Sequence, residues 1–366
     1  MEIAVLGGSN GAYAAATDLT EKGHQVRLWR RDTEAFGPVL SNRVIKIKDV
    51  RGVREISISC VSGDLETVVT GAQLIVIPLP AFAQESVAKQ LAPYLQNDQV
   101  IFLPPGSFGS YIMYKTIRNH GCEANISIAE TGTLPYLARK HDIDTVSISG
   151  RATRLPTGVL PADNSLHALA ILQAAYPSIE PIQDALDGAL MNAGPIIHPP
   201  LILMNAGPIQ HFERWDIHNE GTQPWIRSVH DALDAERIAL REALGYFAPH
   251  YPLADHYNTS EGEEWMYGLA AHEKLVDSAD WHEPLDLITH RYMREDIACG
   301  LAFLVSLAEW AGIKVPVASG LLAIASSIVR EDLRLTGRTI ENCGLANFSI
   351  TDLKQLLKSG ELRKKV

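Results

Sequence analysis

The chain has 366 residues, 46% of them hydrophobic and 20% charged, enough for two domains with separate cores. A net charge of −11 argues against a nucleic acid or an anionic membrane as the main partner. Cys60, Cys122, Cys299 and Cys343 lack C-x-x-C spacing, which argues against a zinc site or a disulfide framework.

Glu2–Leu6 is a short apolar run that reads as a strand, and Gly7-Gly8-Ser9-Asn10-Gly11-Ala12 follows it. Tyr13–Lys22 is helical, Gly23 ends it, and Gln25–Trp29 reads as a second strand. Strand, glycine turn, helix and strand within about thirty residues form the unit that binds a dinucleotide. Gly7 permits the turn, and the helix N-terminus presents unpaired N–H groups to a pyrophosphate. In the G-x-G-x-x-G pattern the second glycine is Ser9 and the third is Ala12. Alanine is an ordinary substitute, whereas serine crowds the phosphate, and its hydroxyl is expected to donate a hydrogen bond to it. Arg30 and Arg31 follow the second strand, with Asp32 slightly late for a ribose 2′-hydroxyl. Arginine there suits a 2′-phosphate, so NADP(H) is the expected cofactor and NAD the alternative.

The α/β pattern continues. Strands are predicted at 55–60, 73–78, 99–103, 126–129, 145–150 and 154–160, and helices at 64–69, 80–95, 111–119 and 166–176. Pro78, ending an unalternating apolar strand, is assigned to the cofactor site, because ligands bind beyond the carboxyl ends of parallel strands. From about Ile182 the chain reads as helical, with helices at 224–244, 264–277, 296–311, 317–329 and 351–357. The reading is an N-terminal Rossmann (doubly wound) domain, 1–180, followed by an all-helical substrate domain, 181–366. The longest apolar run, 297–310, is too short to span a bilayer and contains Glu309. With the first strand starting at Met1, no signal peptide is expected, and the protein is placed in the cytoplasm.

Two segments carry candidate chemistry. His198 stands among apolar residues and prolines in Met191–Pro200, where a histidine can act as general acid or base near neutral pH. Arg291 and Asp296 lie five apart in Thr289–Asp296, so one can anchor a substrate carboxylate while the other orients a histidine. That set suffices to reduce a keto acid. A core histidine with plain helix-terminus charges is the competing reading.

The motifs resemble, in order and over essentially the whole chain, those of the octopine/nopaline (opine) dehydrogenase family. They are the turn Gly7–Ala14, Ala129-Glu130-Thr131 with Leu134-Pro135-Tyr136, His198-Pro199-Pro200 with Asn205-Ala206-Gly207, Arg291-Tyr292 with Glu295-Asp296, and Gly337-Arg338-Thr339. The resemblance implies reductive condensation of an amino acid with a 2-keto acid such as pyruvate, at the expense of NAD(P)H. It implies His198 as proton donor and acceptor, Asp296 as its partner, Arg291 as carboxylate anchor, Glu130 near the amino-acid pocket, and a homodimer. An NADP-linked hydroxy-acid or polyol-phosphate dehydrogenase, or a non-catalytic NADP-binding protein, remains the alternative. Lys274 and Lys314 sit in no motif that would supply a lysine base.

Overall fold

The computed structural model describes residues 1–253 and 285–361. The helix expected at 264–277, Lys274 and the basic C-terminus lie outside the described residues. The chain divides into two compact units. One comprises Met1–Leu79, Ala83–Ala189 and the described residues from Leu356; the other comprises Pro80–Phe82 and Leu190–Gln355.

The first unit contains twelve described strands: β1 (Glu2–Leu6), β2 (Gln25–Trp29), β3 (Val44–Asp49), β4 (Gly52–Ser57), β5 (Cys60–Ser62) and β6 (Leu74–Val76). After these come β7 (Val100–Leu103), β8 (Ser127–Thr131), β9 (Tyr136–Asp142), β10 (Thr145–Arg151), β11 (Leu155–Leu160) and β12 (Ile179–Pro181). Eight form one sheet in the order β12-β11-β8-β7-β6-β1-β2-β5. All neighbours in it are parallel except β8 and β11. Ile3–Leu6 and Leu74–Val76 are wholly buried, as central parallel strands covered on both faces must be. Pairing of Leu6 with Trp29 brings the end of β1 level with the end of β2, and the Gly7 N–H donates to the Trp29 carbonyl at 2.7 Å.

A second sheet, β4-β3-β10-β9, was not anticipated as a separate layer. Val-Ile-Lys-Ile-Lys-Asp in β3 alternates, with Ile45 and Ile47 at 0% exposure, the period-2 pattern of a half-buried strand. This sheet packs on helix Asn10–Glu21 and is tied to it by charge. Buried Asp18 accepts from Tyr136 Oη at 3.1 Å and from Arg151 Nε at 2.7 Å, while Arg151 also reaches Asp49 at 3.0 Å. Against the cost of burial, Lys22 and then Arg151 hold Asp18, and Arg54 and then Arg151 hold Asp49, below the ordinary carboxylate range.

The two compact units divide at 189/190, a few residues beyond the boundary read at 180/181. Helix Ala185–Ala189 packs on β8 and β11 and belongs to the sheet unit: a Cβ at Gly158 would run into the Asp184 carbonyl, and one at Gly188 into the Glu130 carbonyl.

All regular elements among the described residues of the second unit are helices. They include Gly194–Met204, Pro224–Ala243, Tyr292–Leu301, Ala302–Trp310 and Pro316–Val329. The helix expected at 296–311 is two: Tyr292–Leu301 is a π-helix, which passes into the α-helix Ala302–Trp310. The Glu236 carboxylate accepts from the Val317 and Ala318 N–H groups at 2.7 and 2.9 Å, a negative charge on the first turn of Pro316–Val329. No helix among the described residues is long and apolar enough to cross a membrane.

Candidate active site

The glycine turn folds as its residues require. Gly7 has φ +130°, a conformation L side chains rarely adopt, and a Cβ there would meet Leu79 at 2.8 Å. Gly8 lies under Arg30, whose Cδ, Nε and Cζ come within 2.6–2.8 Å of where a Cβ would be. A Cβ at Gly11 would stand 2.7 Å from Leu134 and 3.1 Å from Pro78. Asn10 Oδ1 accepts from the Lys140 N–H at 2.9 Å, and Ala12 is wholly buried at the start of the helix.

Ser9 departs from expectation. It caps helix Asn10–Glu21, accepting from the Ala12 N–H at 3.4 Å, and its hydroxyl donates to the Pro78 carbonyl at 3.1 Å. The hydroxyl is thus engaged within the protein and is not directed at a pyrophosphate. Its gain is a satisfied N-cap and a tie between the turn and the strand-end residue Pro78. The two arginines also separate. Arg30 covers Gly8 and donates to the Ala35 carbonyl at 2.7 Å, while Arg31 is exposed.

Glu130 is likewise reassigned. It is 0% exposed in β8, and its two oxygens accept from the N–H groups of Phe108 at 2.5 Å and Ser110 at 3.0 Å. Its carboxylate lies so close to Gly106 that a Cβ there would overlap it. A side chain so enclosed holds the loop 106–110 and the start of helix Gly109–Asn119. Like any carboxylate beside first-turn N–H groups, it also complements the helix dipole.

The second unit brings His198, Asp296 and Arg291 together. His198, on helix Gly194–Met204, places Nδ1 2.8 Å from Asp296 Oδ2, with side-chain exposures of 18% and 12%. The two helices pack closely enough for this because small residues meet: a Cβ at Gly194 would overlap Asp296 Oδ1, and one at Gly300 would overlap the Pro195 ring. Tyr292 stacks on His198 with ring centroids 3.7 Å apart and 15° between planes. The Arg291 guanidinium lies 5.0 Å from the Tyr292 centroid, an aromatic-backed cation near the dyad. Burial raises Asp296 to about 7, opposed by Arg291 and His290. Adjacent Glu295 is also raised to about 7, first by burial and then by the Asp296 charge. Glu295 Oε1 accepts from the Ala81 N–H at 3.2 Å, and Arg338 donates to the Ala81 carbonyl at 3.1 Å, so both peptide groups of that residue are held.

The sequence reading passed over Tyr292 as part of a motif without a role. Its ring fixes the His198 face, and its hydroxyl lies 3.4 Å from His218 Nε2. Its adjacency to Arg291 was the available signal.

Residues 181–329 match the model of the NAD/NADP octopine/nopaline dehydrogenase alpha-helical domain. Opine dehydrogenase of Arthrobacter sp. (strain 1C) is 26% identical, across 97% of this chain and 98% of its own. The chain is similar to opine dehydrogenases along nearly its whole length. Vitopine synthase of Allorhizobium ampelinum, at 25% identity, aligns over 96% of this chain and 98% of its own. Residues 2–110 match the NAD-dependent glycerol-3-phosphate dehydrogenase N-terminus. The fold is shared with octopine dehydrogenase in complex with NADH and agmatine, with TM-score 0.74, 18% identity, and coverage of 100% of this chain and 99% of that one. It is shared also with NADP+-bound yersinopine dehydrogenase, with TM-score 0.64, 15% identity and 98% of each chain covered.

Proposed function

We propose that the protein is an NAD(P)H-dependent opine dehydrogenase that condenses an amino acid with a 2-keto acid such as pyruvate and reduces the product, or runs the reverse oxidation. The observation that carries this is the buried His198–Asp296 pair at 2.8 Å, with Arg291 over the ring of Tyr292 that stacks on His198. Gly7, Gly8, Gly11 and the N-terminus of helix Asn10–Glu21 fit a dinucleotide pyrophosphate, because three side chains would collide with neighbours there and first-turn N–H groups stand at the turn. When bound, the reduced nicotinamide supplies a hydride.

The protein's own residues do the rest. Arg291 pairs with the keto-acid carboxylate. Asp296 fixes the His198 ring and stabilises its protonated form. Protonated His198 polarises the keto-acid carbonyl through Nε2 and, once the amine has added, gives its proton to the carbonyl oxygen, which leaves as water with a second proton from the amine nitrogen. The resulting imine carbon takes the hydride. In oxidation, neutral His198 removes a proton from the water that attacks the imine. Glu130 acts behind this chemistry by holding its loop. NADP(H) is favoured over NAD(H) by Arg30 at the glycine turn, and a cytoplasmic homodimer is the proposed form, testable by fractionation and light scattering.

The test is to follow NADPH absorbance with pyruvate plus a panel of amino acids, against pyruvate alone. Oxidation that depends on the amine is expected. Equal oxidation without amine would instead indicate a hydroxy-acid dehydrogenase.

A further inference from the structure

The second sheet has no task in the chemistry above, yet it carries a cation to the dinucleotide turn. On β9, Lys140 donates its N–H to Asn10 and places Nζ 4.2 Å from the centroid of the Tyr13 ring. Tyr13 is 0% exposed, and Arg30 is the side chain its hydroxyl interacts with. Burial pushes the hydroxyl's pKa up, so it remains a donor. Arg30 approaches from the end of β2, lying over Gly8 and interacting with Tyr13. Two cations and a donor hydroxyl therefore converge beside one helix N-terminus.

Neither Arg30 nor Lys140 makes an ion pair with a carboxylate among the described residues. Burial first, and then Arg30, push the Lys140 ammonium towards its neutral form, while Asp142 opposes them. Asp144, which also faces Tyr13, is occupied by Lys46 at 3.2 Å and by Thr145 at 2.8 Å.

We propose that Lys140 and Arg30 form the two sides of a clamp for a phosphate monoester, the ribose 2′-phosphate of NADP(H), with the Tyr13 hydroxyl as third donor. The second sheet is then the element that selects the phosphorylated cofactor. The proposal rests on the dinucleotide-binding part of the function above, and the experiment separates the two.

Binding of NADPH and NADH is measured by isothermal titration with wild type, Lys140→Ala, Lys140→Arg and Tyr13→Phe, and 2′-AMP and 5′-AMP serve as competitors. Lys140 is part-exposed and its bond to Asn10 is through the main chain, so Lys140→Ala keeps the turn intact. Lys140→Ala is expected to weaken NADPH and 2′-AMP by about 10- to 100-fold, the range of a charged hydrogen bond, and NADH by less than about twofold. Lys140→Arg should retain most of the preference, and Tyr13→Phe should lose about threefold to tenfold for NADPH alone. Equal weakening of NADPH and NADH, or 5′-AMP competing as well as 2′-AMP, overturns the clamp and leaves the dehydrogenase reading standing. Binding of neither dinucleotide by the wild-type protein refutes the dehydrogenase reading and the clamp with it.

Discussion

Replacing Asp296 by asparagine tests the centre of the proposed mechanism. The substitution preserves shape where space is shortest, since Asp296 Oδ1 lies against Gly194, and it removes only the charge facing His198 Nδ1. The lost interaction is a charge-assisted hydrogen bond, about 1.5–3 kcal/mol in stabilising the imidazolium. At about 1.4 kcal/mol per pH unit, this lowers the histidine's pKa by roughly 1–2 units. Histidine and aspartate titrate as a pair, so the observable is the macroscopic limb of the rate profile. Reduction needs the protonated form and is lost as pH rises. That falling limb should therefore move to lower pH by roughly 1–2 units, with kcat at pH 8 down about 10- to 100-fold. The rising limb of the oxidation should move the same way, because neutral histidine is then available at lower pH. The assay is kcat and kcat/KM in both directions from pH 5 to 10, with circular dichroism and NADPH titration to show intact folding and cofactor binding. An unshifted profile with kcat near wild type would refute the role of the pair.

Other outcomes follow from individual contacts. Arg291→Ala should raise the keto-acid KM by tenfold or more with a smaller change in kcat, read from initial rates at saturating amino acid. Glu130→Ala strands the buried Phe108 and Ser110 N–H groups at about 1–3 kcal/mol each, so denaturant unfolding should show a large stability loss. A change confined to amino-acid KM would restore Glu130 to the substrate site. Ser9→Ala removes the N-cap and should cost about 1 kcal/mol, with a melting temperature lower by a few degrees.

The first thirty residues were legible because strand, turn and helix are encoded locally, by an unalternating apolar run, glycine and a cap. The proximity of His198 to Asp296 was proposed from chemistry and family pattern; their separation along the chain hides the Gly194–Asp296 contact that allows it. The hold of Glu130 on the Phe108 and Ser110 N–H groups was not legible, because an acidic residue in a motif does not show what its carboxylate faces. Lys140 lay in no predicted element, and only the pairing of β9 with β10 and its packing on helix Asn10–Glu21 bring it to the turn. Ser9 looked like an imperfect glycine; its fit depends on where the Pro78 carbonyl falls, which is set by the register of β6 against β1.

The π-helix Tyr292–Leu301 has a consequence for attempts to stabilise the protein. Its i→i+5 bonding accommodates a longer turn than an α-helix does, and such segments are uncommon and recur at functional sites. Removing one residue between Ile297 and Gly300 would let the segment relax towards ordinary α geometry, but would put the Asp296–Gly194 and Gly300–Pro195 contacts out of register with each other. The same deletion would rotate Arg291, Tyr292 and Asp296 away from His198 by a large fraction of a turn. A screen on melting temperature alone does not register a displaced dyad, so a library built for heat resistance should keep the length of this segment fixed.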